Sequence, residues 1–125
     1  YGSSDGQDWL LQPWNDAPTV RHLLEMHPAW GWSERSALYR AIARPLERMH
    51  AAGIVHGDLQ PAHFLVERPG LETELIDLGN GRFLADTAPR REGGLVHFTP
   101  PEVARKSLAE PEGAPVYDVR SEVYA

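Results

Sequence analysis

The chain has 125 residues, a formal net charge of −6 and no cysteine. The lack of cysteine excludes a disulfide scaffold, a Cys-ligated zinc site and thiol catalysis, and it fits a reducing, cytoplasmic compartment. The acidic balance argues against a general binder of nucleic-acid backbones, and no run approaches the about 18 apolar residues of a membrane-spanning helix. The length suits one domain or part of a larger one.

The start of the chain is polar, and its first apolar run is short. Residues 1–8 predict a turn-rich opening without a signal peptide. The run from Trp9 to Trp14 predicts a short strand that Pro13 ends before a linker. Apolar residues at helical spacing then predict a helix over residues 19–26.

The longest predicted helix covers residues 34–51. Its apolar residues recur on one face, and Ser33 is the expected N-cap. Gly53 stands where a left-handed C-cap residue would end the helix. Pro45 removes one backbone hydrogen bond from the helix interior, so we expect a kink there.

After this helix the pattern changes to short β-type runs. Residues 63–77 predict a hairpin, because two such runs flank the turn Arg68-Pro69-Gly70. In that turn Pro69 presets φ, and Gly70 is expected to accept a positive φ.

Two further helix starts are predicted near the end of the chain. Thr99-Pro100-Pro101-Glu102 predicts a helix with Thr99 as N-cap that continues to about Leu108. Residues 121–125 read as the first turn of another helix, and a single turn is not stable alone. We therefore expect the chain to be part of a longer protein.

Two loops carry the residues that favour chemistry. Asp58 follows a short strand in His56-Gly57-Asp58, and Asp77 ends the predicted hairpin before Gly79. A carboxylate at a strand end suits a metal ligand or a base, although each alone also suits a turn-stabilising carboxylate. Because the hairpin brings the two loops together, we expect Asp58, His63 and Asp77 to face one cleft.

The order of these segments resembles the protein-kinase family. The catalytic loop, the metal-binding DFG motif and the APE motif are resembled by His56–His63, Asp77–Gly79 and Pro100–Glu102. Trp9–Leu24 is similar to the hinge and its following helix, and Ser121–Ala125 is similar to the start of the next large helix in bacterial members. The resemblance implies an α+β fold over residues 1–125, a C-terminal-lobe fragment that is mainly α-helical with short β-hairpins and lacks the N-terminal lobe.

The resemblance also implies transfer of phosphate from ATP to a protein Ser/Thr hydroxyl by the full-length protein. Asp58 would accept or orient the hydroxyl proton, and Gln60 stands where Ser/Thr kinases carry a catalytic Lys. Asp77 would hold Mg²⁺, and His63 stands at the metal-binding Asn position. Because imidazole offers nitrogen whereas Mg²⁺ prefers oxygen, a single metal, or Mn²⁺, is an alternative. The nucleotide would contact Gln12, Trp14 and Leu65.

Three alternatives stay open at this point. The protein could be a pseudokinase that binds without turnover, or a small-molecule phosphotransferase of the aminoglycoside or choline kind. The histidines at 50, 56 and 63 could suggest zinc, but glycines and a proline between them break any common helix face. His56 is better explained as a packed histidine whose ring bonds backbone near the metal loop. Without the Gly-rich loop and Lys of an N-terminal lobe, the isolated 125 residues are expected to show no phosphate transfer.

Overall fold

A computed structural model describes residues 2–9, 13–67, 70–86, 96–109 and 118–124. Within them the helices are α1 (Val20–Met26), α2 (Trp32–Ala51), α3 (Pro101–Ala109) and α4 (Val119–Tyr124). The strands are β1 (Gly2–Ser4), β2 (Gln7–Trp9), β3 (Ile54–Val55), β4 (Phe64–Glu67), β5 (Glu72–Leu75) and β6 (Arg82–Phe83). Helices joined by short strands agree with the predicted mixed α and β class.

The strands form three antiparallel pairs within the described residues, β1–β2, β3–β6 and β4–β5. The β4–β5 pair confirms the hairpin expected over residues 63–77. Leu71, with φ of 53°, carries the positive φ near its turn, whereas Gly70 does not, so that detail of the prediction was wrong. Arg68 and Pro69 lie outside the described residues.

The β1–β2 hairpin corrects the interpretation of the first residues. Its turn is Asp5-Gly6, with φ of 52° and 75°, between the paired residues Ser4 and Gln7. Asp-Gly is a strong two-residue hairpin signal because both residues tolerate a positive φ. The expected strand at Trp9–Trp14 is therefore misplaced: β2 ends at Trp9, and residues 10–12 lie outside the described part of the chain.

The two predicted N-terminal helices are present with one corrected cap. Thr19 caps α1 by accepting a hydrogen bond from the His22 N–H at 3.1 Å. Helix α2 begins at Trp32 with Gly31 as N-cap, so Ser33 lies inside the helix and the predicted cap was wrong. The helix continues through Pro45, and Gly53 follows its end with φ of 72°, as predicted.

The core lies between α1, α2 and the segment that joins β3 to β4. It consists of buried apolar side chains from all three regions, namely Val20, Leu23, Leu38, Leu59, Phe64 and Val66. Burial of these side chains supplies most of the driving force that holds the joining segment in place. Among the described residues, none of the helices combines the length and the apolar character needed to cross a membrane.

The two later helices are close to their predicted positions. Helix α3 begins at Pro101, one residue later than a cap at Thr99 requires, and the Ala104 N–H donates to the Pro100 carbonyl at 2.9 Å. Helix α4 includes the predicted turn and begins two residues before it. The loop between α3 and α4 lies largely outside the described residues.

Asp118 caps α4, and its ionisation is expected to affect stability. Its Oδ1 accepts from the Ser121 N–H at 2.9 Å and the Ser121 hydroxyl at 3.1 Å. These bonds, the backbone one first, hold the pKa of the Asp118 carboxyl below its ordinary value. Because the folded-state pKa is lowered, the stabilisation is present above the ordinary pKa and is lost as pH falls through the lowered one.

Asp118→Ala is therefore expected to lower the free energy of unfolding at neutral pH by about 1 kcal/mol, since it removes a helix cap. Urea unfolding between neutral pH and about pH 3 would show a weaker loss of stability with acid in this variant than in the unmodified protein. Asp16→Asn, at an exposed position outside the helices, serves as the control. An unchanged acid dependence in Asp118→Ala would contradict the role of the cap.

Candidate active site

The segment from His56 to His63 is bonded to the residue that precedes Asp77. The His56 ring is completely buried, and its Nε2–H donates to the Ile76 carbonyl at 2.9 Å. Its Nδ1 accepts from the Asp58 N–H at 3.3 Å, which completes the assignment of the tautomer. The expectation that His56 is a packed histidine bonded to backbone near the metal loop is thus confirmed.

His63 contacts both acidic loops through one ring. Its Nδ1–H donates to the Asp58 carbonyl at 2.8 Å, and its Nε2 lies 3.4 Å from Asp77 Oδ2. Nε2 also lies 2.9 Å from the amide nitrogen of Gln60. Because Nδ1 carries the proton, the Nε2 lone pair faces the Gln60 amide and the Asp77 carboxylate.

Asp77 is held at this position by its own backbone and by the neighbouring Ile76. The Ile76 N–H donates to the His63 carbonyl at 2.9 Å, directly beyond the β4–β5 pair. Asp77 adopts a left-handed conformation with φ of 62°, which Asp tolerates better than most residues. Its side chain is 61% exposed, so the carboxylate remains open to a ligand.

The donors at this position suit a divalent cation that a nucleotide also binds. His63 Nε2 and the Asp77 carboxylate offer one nitrogen and two oxygens. Within the described ranges, no group of three or more His, Cys, Asp or Glu side chains could hold a metal. A cation here would need phosphate and water oxygens as further ligands, which is the common arrangement for Mg²⁺ in phosphate-transferring sites. His63 and Asp77 therefore fit the implied cofactor.

A second cavity lies beside these loops. It has a volume of about 450 Å³ and is lined by the linker before α1 and by β4 and β5, including Trp14, Leu65 and Ile76. Asn15 joins the linker to the hairpin by donating to Glu67 Oε1 at 3.2 Å and to Glu74 Oε2 at 2.8 Å. Trp14 and Leu65 thus share one cavity, whereas Gln12 lies outside the described residues.

Glu122 is a buried anchor whose contacts were not predicted. It is 2% exposed, and its Oε1 accepts from the Gly57 N–H at 2.6 Å. Its Oε2 lies 2.8 Å from His50 Nε2, so one carboxylate joins α4, α2 and the loop that carries Asp58. A Glu among otherwise small and apolar residues at the start of α4 is the signal that could have indicated this role.

Gly57 meets two requirements that only glycine satisfies easily. Its φ is 79°, and a Cβ placed there would lie 2.7 Å from the Asn80 carbonyl oxygen. An Arg at this position, as the protein-kinase pattern often has, would be strained and would clash with backbone. The structure thus explains this departure from the pattern.

Gly57→Ala is expected to lower the free energy of unfolding by about 1–3 kcal/mol, because the new Cβ meets backbone that must shift. Gly70→Ala is the matched control, since its φ is not positive and its nearest neighbour is the Glu72 side chain at 3.7 Å. Chemical denaturation would measure both variants. Equal stability of the two would contradict the steric argument.

Acidic loops that offer donors to a cation beside a cavity are typical of phosphoryl-transfer enzymes. The model of the lipopolysaccharide kinase (Kdo/WaaP) family matches residues 11–92, which is more than half of the chain. The chain therefore belongs to this family of kinase-like phosphotransferases. The matched residues include both acidic loops.

Named relatives are kinases and a complex subunit. The chain is 26% identical over 127 residues to the probable serine/threonine-protein kinase PknB of Lactococcus lactis, covering 99% of this chain and 19% of the relative. It is 27% identical over 106 residues to the EKC/KEOPS complex subunit bud32 of Aspergillus clavatus, covering 73% and 36%. It is 28% identical over 108 residues to the serine/threonine-protein kinase PknK of Mycobacterium tuberculosis, covering 85% and 10%. The chain thus spans little more than a third of these relatives at most.

Proposed function

We propose that this chain carries the catalytic loop and the metal-binding loop of an ATP-dependent phosphotransferase. The observation that carries the proposal is the His63 ring, which bonds the Asp58 backbone through Nδ1 and faces the Asp77 carboxylate through Nε2. The chain then corresponds to a C-terminal-lobe segment, from the hinge to the start of the helix after the activation segment. An N-terminal lobe would complete the nucleotide site.

Each proposed role follows from the chemistry of phosphoryl transfer, which needs positioning and charge neutralisation more than covalent help. Asp58 accepts or orients the proton of the attacking hydroxyl. Asp77 and His63 hold the divalent cation, which neutralises charge on the nucleotide phosphates when bound. Trp14 and Leu65 contact the nucleotide base from the cavity that they line, with Gln12 as a third candidate.

Our first candidate for the acceptor is a protein Ser/Thr hydroxyl. The names of the relatives PknB and PknK support it, because their similarity extends over 85–99% of this chain. Helix α3, with Pro101 at its first position, also lies where the protein-kinase activation segment ends. A proline at the first helical position makes this boundary well defined.

A sugar hydroxyl of lipopolysaccharide is the second candidate. The description of the matching family names lipopolysaccharide, and the match covers both acidic loops. In addition, the catalytic loop carries Gln60 where Ser/Thr protein kinases have a Lys, so it lacks their cation beside the transferred phosphate. This candidate corresponds to the small-molecule alternative.

The acceptor can be identified with labelled ATP. The full-length protein would be incubated with γ-labelled ATP and Mg²⁺ or Mn²⁺, in the presence of Ser/Thr protein substrates or purified lipopolysaccharide. Labelled protein from the unmodified enzyme, but not from Asp77→Asn, is the expected result, and Asp5→Asn in the exposed β1–β2 turn is the control. Label in lipopolysaccharide alone would select the second candidate. A nucleotide-dependent thermal shift without any transfer would indicate a pseudokinase and refute the proposal.

A further inference from the structure

We propose that His63 makes the cation position selective for Mn²⁺ over Mg²⁺, and that the Gln60 amide limits the affinity by competing for the same ring nitrogen. The inference rests on the proposed function, because it concerns the cation of the same site. It assigns a metal preference to His63 and a competing role to Gln60. Three observations carry it.

The first observation is that His63 is committed to offering Nε2. Its Nδ1–H is held by the Asp58 carbonyl at 2.8 Å, which fixes both the tautomer and the plane of the ring. The side chain is only 11% exposed and stacks on His56 with ring centroids 5.6 Å apart, so it has little room to turn away. Such outer contacts are what orient a histidine as a metal ligand.

The second observation is the donor pair itself. His63 Nε2 and Asp77 Oδ2 lie 3.4 Å apart, close enough for both to contact one cation. Mg²⁺ takes oxygen ligands almost exclusively and loses water reluctantly, whereas first-row transition metals accept imidazole readily. One fixed nitrogen donor therefore weakens the preference for Mg²⁺ and favours Mn²⁺.

The third observation is that Gln60 occupies the same lone pair. Its amide nitrogen lies 2.9 Å from Nε2, and a nitrogen that accepts this hydrogen bond cannot donate its lone pair to a cation at the same time. Gln60 must rotate away when His63 binds a cation. The half-buried amide is then available to other groups at the site, including the transferred phosphate.

Metal binding can be tested in the full-length protein with a non-hydrolysable ATP analogue. Calorimetry would measure the affinities for Mn²⁺ and Mg²⁺, and electron spin-echo spectroscopy would detect a protein nitrogen bound directly to Mn²⁺. His63→Asn is expected to lower Mn²⁺ affinity by about tenfold or more and to remove the nitrogen signal, while Mg²⁺ affinity is kept or raised. Gln60→Leu is expected to raise Mn²⁺ affinity by about two- to tenfold, the net value of one hydrogen bond.

Two exposed positions supply matched controls, His22→Asn on α1 and Gln7→Leu on β2. Both should leave the affinities and the nitrogen signal unchanged. An unchanged ratio of Mn²⁺ to Mg²⁺ affinity in His63→Asn would overturn the selectivity, and unchanged Mn²⁺ affinity in Gln60→Leu would overturn the competition. Phosphate transfer by the unmodified protein is measured separately, so its absence would count against the proposed function and not against the metal preference.

Discussion

Asp58→Asn is expected to lower the rate of phosphate transfer by about 10²- to 10⁴-fold, the usual contribution of a positioned acid or base. The substitution keeps the size and shape of the side chain but removes its ability to accept a proton. Residue 58 contacts both histidines through backbone atoms, since its N–H donates to His56 and its carbonyl accepts from His63. These contacts survive in the variant, so the chemical role is separated from the structural one.

Single-turnover kinetics of the full-length protein would measure the effect of Asp58→Asn, and urea unfolding would test that the fold is unchanged. Asp5→Asn is the control, because Asp5 lies in the β1–β2 turn. Less than a tenfold loss of rate in Asp58→Asn would contradict its assignment as the proton acceptor. A large loss of stability would indicate instead that the side chain supports the loop.

Glu122→Ala is expected to lower the free energy of unfolding by about 2–4 kcal/mol, because it leaves buried polar partners without their acceptor. The Gly57 N–H and the His50 ring both depend on this carboxylate, which is almost completely shielded from water. The loop that carries Asp58 should also become less well positioned, so the rate of phosphate transfer should fall together with stability.

The exposed ion pair Arg21–Glu25 provides the comparison for Glu122. Its atoms lie 3.0 Å apart on α1, but both side chains are more than half exposed, so Glu25→Ala should cost less than about 0.5 kcal/mol. Glu122→Gln keeps an oxygen acceptor for Gly57 and should cost less than Glu122→Ala. If the alanine variants of Glu122 and Glu25 were equally stable, Glu122 would not be an anchor.

Local patterns predicted those elements whose signals lie within a few residues. Apolar spacing gave the positions of α1 and α2, and two short β-type runs around a turn gave the β4–β5 hairpin. Errors fell where local signals compete, as with Ser33, which suits a cap but lies inside α2 because Gly31 ends the preceding loop. The β1–β2 hairpin was missed although its Asp5-Gly6 turn is a local signal.

The sequence by itself determined the order of the acidic loops and the residue types that they carry, because both depend only on position along the chain. Only the tertiary structure decided which atoms meet: that His63 reaches Asp77 through Nε2, that Gln60 bonds the same nitrogen, and that Glu122 joins Gly57 to His50. The last contact links residues 65 positions apart. No local periodicity encodes such a pairing, since it arises when the packed core brings α2, α4 and the loop together.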